Sequence, residues 1–184
     1  MRFFDGVGPQ DVLDLRRETA AEVEGRFSLL ARERGKIVPG SRRKGKNVWT
    51  VYGRTFLATN IVPAALGGAA PPQYVFYIGL GIGAQTEVST VSQLASPVPI
   101  SFGTYLKAVG SVDFPNDPVT SAAFIVEFGT TDFAGNPELR EAGLFLDDAV
   151  PTLGDNNPVA YKNFEPLVKT SQFRLEVRWE IRFR

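Results

Sequence analysis

A glycine run is the first segment of this sequence whose residue types could do chemistry. Gly79-Leu80-Gly81-Ile82-Gly83 follows the apolar stretch 74–78, as a phosphate-binding loop follows a strand. A dinucleotide-binding loop needs the spacing G-x-G-x-x-G with a helix behind it, whereas the spacing here is G-x-G-x-G and no Walker lysine follows. We therefore interpret the run as a tight turn that leaves a buried strand, and we predict no nucleotide and no other cofactor.

Acidic and amide side chains form a second candidate site, because their oxygens are ligands for a hard cation such as calcium. They follow an apolar run late in the chain: Asp147, Asp148, Asp155, Asn156 and Asn157. Their spacing does not match the EF-hand loop, and Asp and Asn are also typical of turns between strands. A plain turn is the favoured interpretation and cation binding is the alternative. Asp113 and Asp117 flank Pro115 in another turn-like segment.

Catalysis has few other side chains available, because the chain contains no histidine and no cysteine. The commonest general base, the commonest metal ligand and the thiolate nucleophile are therefore missing. Tyr161, Lys162 and Lys169 form no recognisable catalytic set. An enzyme would have to work with carboxylates, Lys, Tyr or Ser, so we predict a non-enzymatic protein with no catalytic residue and no metal ligand.

Basic residues are concentrated in the first third of the chain. Twelve Lys and Arg stand against seven Asp and Glu through residue 60, and eight stand against thirteen after it. The loop 36–47, broken by Gly and Pro, holds four candidate subunit-contact residues: Arg42, Arg43, Lys44 and Lys46. Phosphate contact is one interpretation, but no aromatic residue interleaves with these charges. We favour a solvated loop or a contact with an acidic neighbouring protein, and we do not expect nucleic acid as a partner.

The end of the chain alternates strictly between apolar and charged residues, from Phe173 to Arg184. Successive side chains of a strand point to opposite faces, so this pattern predicts a strand with one face in a core. The charged face carries both signs and can pair with a neighbouring strand, contact another subunit or stay solvated. Four residues of this face complete the set of candidate subunit contacts: Arg174, Glu176, Arg178 and Glu180.

The first part of the chain indicates helix rather than strand. Residues 1–8 indicate an extended arm, and apolar residues at steps of three and four predict a helix over 9–34. With the basic loop, these elements make a predicted N-terminal assembly segment, residues 1–48. A short helix is predicted over 53–66.

The remaining residues, 49–184, are predicted to form one β-domain. Apolar runs rich in β-branched and aromatic residues predict buried strands near 74–79, 121–128 and 143–146. The predicted fold class is mainly β (α+β): an antiparallel β-sandwich with an N-terminal helix and an extended arm. The charged N-terminus has no apolar signal core, and no run of about 20 apolar residues predicts a membrane span.

Several short motifs resemble those of a recurrent module in virion proteins of tailed bacteriophages. In that module a "YIALGTGT"-like strand and turn, an "E-x-GLF" segment and an "F-x-P…K-T" segment precede a final amphipathic strand. The matching segments here are Tyr77–Gly83, Glu141–Phe145 and Phe164-Glu165-Pro166 with Lys169-Thr170. The segment Gly53–Ala58 is similar to a "G-R-x-x-L-A" helix that often precedes the module, so the resemblance extends over roughly residues 53–184.

The resemblance implies a structural subunit of the virion, without catalysis, present in many copies and in contact with copies of itself and other virion proteins. Within the virion we favour the tail, neck or baseplate as a symmetric oligomer, formed after synthesis in the host bacterial cytoplasm. A capsid decoration protein is the first alternative. A carbohydrate- or receptor-binding module is another; it would need an exposed aromatic platform, for which Trp49, Tyr52 and Tyr105 are the candidates.

Overall fold

The computed structural model describes residues 23–61, 75–103, 105–115, 120–147 and 157–183. Over these residues the chain forms short and long strands, one α-helix and a 3₁₀ turn at Ile100–Phe102. The elements are β1 Val23–Glu33, β2 Lys36–Ile37, β3 Arg43–Lys46, β4 Val48–Trp49, α1 Val51–Ile61, β5 Val75–Gly81, β6 Leu106–Ala108, β7 Ser111–Asp113, β8 Ser121–Phe128, β9 Glu138–Asp147, β10 Ala160–Val168 and β11 Arg174–Phe183.

The strands form two antiparallel sheets, which confirms the mainly β prediction. Sheet A has the order β2-β1-β11-β8-β7, and β3 pairs with the first half of β1 on the same side as β2. Sheet B has the order β4-β10-β9-β5-β6. The chain passes from the edge of sheet B to the edge of sheet A through two residues, Val109 and Gly110, that join β6 to β7.

Both sheets contribute side chains to one hydrophobic core. Trp179 on β11 is fully buried, and its ring meets Phe27 of β1 edge-on with centroids 5.3 Å apart. Phe124 of sheet A lies against Phe76 of sheet B at a centroid distance of 4.4 Å. Burial of these large side chains is the main favourable term for folding, at about 1.5–3 kcal/mol for each one.

The last strand was predicted correctly from its alternation. In β11 the residues Leu175, Val177 and Trp179 are fully buried, while Arg174, Glu176 and Arg178 lie on the opposite face. β11 pairs with β1 on one side and with β8 on the other, so it occupies the middle of sheet A. A slip by one residue would bury the charges, which fixes its register.

The helix predicted over 9–34 is wrong for residues 23–33, which form β1; residues 9–22, like the predicted arm 1–8, lie outside the described residues. β1 pairs with β11 from Val23↔Phe183 to Arg32↔Arg174. Leu30 is an apolar residue on the outward face of β1 and interrupts its alternation. With Val23 and Phe27 it gave the spacing of four and three residues that indicated a helix. Propensity is a weak guide here, because pairing along the whole of β11 outweighs it.

Two other predictions concern the boundary of the β-domain. The short helix is confirmed as α1, and residues 62–66 lie outside the described residues. Thr50 caps α1, since its hydroxyl accepts the N–H of Gly53 at 3.0 Å and donates to the carbonyl of Pro158 at 2.5 Å. Residues 23–46, assigned above to the assembly segment, are part of sheet A through β1 and β3.

Candidate functional site

The outward side of sheet A is a charged face built by alternation. The outward positions of β1, β3 and β11 all carry polar or charged residues except Leu30. Seven of the eight candidate subunit-contact residues lie on these three strands, and Arg42 lies just before β3. The pairing of β1 with both neighbours brings six of them to the charged face: Lys44, Lys46, Arg174, Glu176, Arg178 and Glu180. Arg43 is opposite the buried Leu29 and points to the other side of sheet A, where it contacts sheet B.

The charged residues of β11 pair across to other strands, as their alternating signs predict. Three ion pairs cross between strands at 2.9 Å, namely Arg32–Glu176, Arg174–Glu127 and Arg178–Asp113. Glu180 pairs within its own strand, accepting from Arg182 Nε at 2.5 Å. Exposed ion pairs contribute only about 0–1 kcal/mol each, so their main effect is to neutralise the face and fix its register.

A shallow groove of about 450 Å³ crosses this face. Two carboxylates in it are buried, Glu24 and Glu180. Arg26 Nε donates to Glu24 at 3.2 Å, and Lys46 Nζ lies 3.3 Å from the same oxygen. The acidic side chains are thus satisfied within the chain, while Lys44 at the groove margin is exposed and forms no ion pair with a described residue.

Arg43 is a structural residue rather than a free surface charge. Its guanidinium donates to the carbonyls of Glu165 and Pro166 at 2.8 and 2.7 Å and to that of Gly40 at 2.7 Å. Glu165 and Pro166 lie in an irregular part of β10, where the register against β9 shifts between Asn163 and Leu167. Arg43 therefore ties the basic loop to the edge of sheet B.

The glutamate of the "E-x-GLF" segment, Glu141, is fully buried. One of its oxygens accepts the N–H of Ser96 at 2.8 Å, and the other accepts the N–H of Ala95 at 2.9 Å and the hydroxyl of Tyr161 at 2.8 Å. Burial, followed by the hydrogen bond and the negative charge of Glu141, raises the pKa of Tyr161 far above its ordinary value. The three contacts fasten the loop 82–98 onto sheet B.

A second layer of hydrogen bonds extends this cluster, and we call the whole the Glu141 clasp: Glu141, Tyr161, Asn163, Glu87 and Lys162. Tyr161 also contacts the side chain of Asn163, with 2.6 Å between the two oxygens. Glu87 accepts the N–H of Asn163 at 2.9 Å and pairs with Lys162 at 2.6 Å. The sequence did not predict this cluster, because its hydrogen bonds join segments that are 20 to 76 residues apart.

The glycine run includes the end of β5, and Glu141 of the clasp packs directly against it. A Cβ at Gly81 would lie 2.4 Å from a carboxylate oxygen of Glu141 and 2.7 Å from the carbonyl oxygen of Ser96. A Cβ at Gly79 would lie 2.8 Å from the ring of Phe145. The run is not the tight turn that the sequence predicted. Gly79 and Gly81 belong to β5 and pair with β9, and neither they nor Gly83 have a positive φ, so these positions are glycine because their neighbours leave no room for a side chain.

We expect Gly81→Ala to lower the free energy of unfolding by about 1–3 kcal/mol, because the methyl group displaces a buried carboxylate and meets a backbone carbonyl. Gly110→Ala is the control, since the nearest atom to its Cβ is a carbonyl oxygen 3.9 Å away. Urea unfolding of both variants measures the difference. An unchanged stability for Gly81→Ala would contradict the position of Glu141 against Gly81.

The lysine of the "K-T" motif is also buried. Lys169 Nζ donates to the carbonyl of Thr170 at 2.6 Å and lies 5.5 Å from the ring centroid of Phe173. Burial lowers the pKa of Lys169. Nearby, Asp132 pairs with Lys107 at 2.5 Å and accepts the N–H of Gly129 at 2.7 Å. These contacts hold the segment 129–132 against the core, where Phe133 stacks on Phe128.

Asp132 should make stability depend on acid pH. Burial raises its pKa, but the hydrogen bonds from Lys107 and Gly129 outweigh burial and hold the pKa below 3.8. The folded protein therefore binds this proton less readily than the unfolded chain, so the stabilisation is present above pH 3.8 and is lost as the pH falls through the lower folded value.

We expect Asp132→Asn to cost about 1 kcal/mol at neutral pH, discounted for the partial exposure of the pair. The stability of wild type and Asp132→Asn should converge in acid, which urea unfolding at a series of pH values measures. A difference that is constant with pH would contradict the assignment.

The other predicted site residues have simpler outcomes. Trp49 and Tyr105 are buried, and only Tyr52 of the aromatic platform is exposed. The acidic turn lies largely outside the described residues, which end before Asp148 and resume at Asn157. Among the residues that the structure describes, no group of three or more acidic side chains is placed to hold a metal ion. No described helix has the length and apolar character that crossing a bilayer requires.

Comparison with known proteins returned no relatives. No family model matches the chain, and neither a curated protein nor a solved structure is significantly similar to it.

Proposed function

We propose that this chain is a non-enzymatic structural subunit of a tailed-bacteriophage virion, which assembles as a symmetric oligomer in the tail, neck or baseplate. Its two sheets pack as a β-sandwich around the shared core. Its partners are copies of itself and other virion proteins.

The observation that carries the proposal is the Glu141 clasp. The glycine run, the "E-x-GLF" segment and the strand with Tyr161 are separate in sequence, yet Gly81, Glu141 and Tyr161 meet in one cluster. Two of the motifs that resemble the virion module, the glycine run and the "E-x-GLF" segment, therefore meet Tyr161 at the contact that fastens the loop 82–98 to sheet B. The resemblance rests on residues that build the fold, as a structural subunit requires.

The charged face gives independent support. Its ion pairs leave a surface of mixed sign with little unpaired charge, which suits docking against another protein more than binding a strongly charged polymer. Glu24 and Glu180 are already engaged by basic side chains. Contact between copies can then bury this face without leaving a carboxylate unpaired.

Electron microscopy of the purified chain tests the proposal. We expect closed particles with one point-group symmetry, because most soluble homo-oligomers are closed. Threefold particles that bind capsids would favour the decoration alternative. Monomers that bind a glycan and never associate would overturn the proposal.

A further inference from the structure

Most strand edges in the two sheets are protected against pairing with another chain. β2 and β4 have two residues each, β3 carries Lys44 and Lys46, and β6 carries Lys107. Short edges and lysine side chains both discourage pairing with a strand of another molecule.

The edge of β10 is protected by side chains. β4 covers only Ala160 and Tyr161 of this strand. Beyond them, Glu87 accepts the N–H of Asn163, and Arg43 donates to the carbonyls of Glu165 and Pro166. Pro166 itself has no N–H to offer a partner strand. An incoming strand would find the polar groups of this edge already occupied.

The outer edge of β7 has neither a lysine nor a covering side chain from the described residues, although β7 is itself only three residues long. Ser111, Val112 and Asp113 are all exposed, and neither a strand nor a side chain of the described residues bonds the edge that faces away from β8. Val112 is 46% exposed and the following Phe114 is 59% exposed, the highest value among the large apolar side chains of the described chain. No lysine lies in 108–115. The edge is therefore open, with the exposed apolar side chains of Val112 and Phe114 beside it.

We propose that the outer edge of β7 pairs antiparallel with β7 of a second copy, about a twofold axis at Val112. This inference rests on the proposed self-assembly and adds a second contact between copies, the edge of β7, to the one proposed for the charged face. Sheet A then continues from one copy into the next. Because residues 109–110 join β7 directly to β6, the edges of both sheets lie near the contact, and Val112 and Phe114 supply its apolar side chains.

In this arrangement the side chains of β7 in one copy match those of β7 in the other. With Val112 opposite Val112 of the other copy, each Ser111 lies opposite an Asp113, so a hydroxyl donor faces a carboxylate and no like charges are directly opposed. The carboxylate of Asp113 is also held by Arg178 at 2.9 Å on the charged face. A twofold contact uses the same patch on both copies, so it predicts an even copy number.

A single cysteine gives a direct test, because the chain has none of its own. Directly opposed residues of an antiparallel pair have Cα atoms about 4.5–5.5 Å apart, which lies within the range of a disulfide. We expect Val112→Cys to form a disulfide-linked dimer under mild oxidation. Val168→Cys is the matched control on the protected edge of β10, where Val168 is also 46% exposed, and it should stay unlinked.

Lysine at the same two positions tests the energy of the contact. We expect Val112→Lys to weaken association by about tenfold or more, as two ammonium groups would meet at the axis, while Val168→Lys associates as wild type. Thermal unfolding by circular dichroism checks that both variants fold.

The outcomes separate the two proposals. A wild type that never associates would overturn the proposed function itself. A wild type that associates, with no cross-link at Val112→Cys and no effect of Val112→Lys, would overturn the β7 contact alone. Assembly that is lost on deletion of residues 1–22 but unaffected by Val112→Lys would mean that the N-terminal segment is the contact, which also overturns this inference.

Discussion

Trp179→Asp is expected to prevent this protein from folding. The indole of Trp179 is fully buried at the centre of sheet A, between β1 and β8, and its ring packs edge-on against Phe27. Truncating a buried tryptophan costs about 3–5 kcal/mol, and burying an unpaired carboxylate costs several more. The sum is comparable to the whole stability of a typical domain, about 5–15 kcal/mol.

Solubility, far-ultraviolet circular dichroism and urea unfolding measure the result. Arg178→Ala is the control, because Arg178 directly precedes Trp179 on β11 but lies on the charged face. This substitution removes only the ion pair with Asp113. We expect this variant to fold with a loss of at most about 1 kcal/mol. A soluble Trp179→Asp protein that unfolds cooperatively would contradict the orientation of β11.

Glu141→Ala is expected to lower the free energy of unfolding by about 3–5 kcal/mol. The substitution leaves two buried backbone N–H groups, of Ala95 and Ser96, without their acceptor, and each such loss costs about 1–3 kcal/mol. It also removes one of the two oxygens that the hydroxyl of Tyr161 contacts, and only Asn163 remains. The loop 82–98 should detach before the rest of the fold, because these contacts fasten it to sheet B.

The matched control is Glu138→Ala, three residues earlier in β9, where the carboxylate is 46% exposed and pairs only with Arg140. We expect a change below about 1 kcal/mol there. Hydrogen exchange gives the second readout: the amides of Ala95 and Ser96 should lose protection in Glu141→Ala and keep it in Glu138→Ala. Equal stability of the two variants would show that the clasp does not hold the loop.

The strands that could be predicted from sequence are those with a local signal. β11 alternates over its whole length, and β8 is an apolar run that the structure places at Ser121–Phe128, as predicted. β1 was missed because Leu30 breaks its alternation and its stability comes from pairing with a strand about 150 residues away. β7 was interpreted as part of a turn, since three residues next to Pro115 give almost no periodic signal.

The candidate site also has a part that could be predicted from the sequence and a part that could not. The pairing of charges on β11 followed from their spacing, because residues two apart share a face of a strand. Glu141 was noticed only as part of a resemblance, because its partners, at Ala95, Ser96 and Tyr161, are brought to it by the folding of sheet B. The glycine run was predicted to be a tight turn, but Gly79 and Gly81 belong to β5. The reason for glycine at position 81, a buried carboxylate packed against it, needs three-dimensional contacts to be seen.

Sedimentation velocity of the unmodified chain over a wide range of concentration tests most directly whether its surfaces serve to join copies of itself. We expect a single larger species to grow in cooperatively as the concentration rises, with a mass that is an even multiple of 20.1 kDa. A chain that sediments as a 20.1 kDa monomer at every concentration would contradict the account.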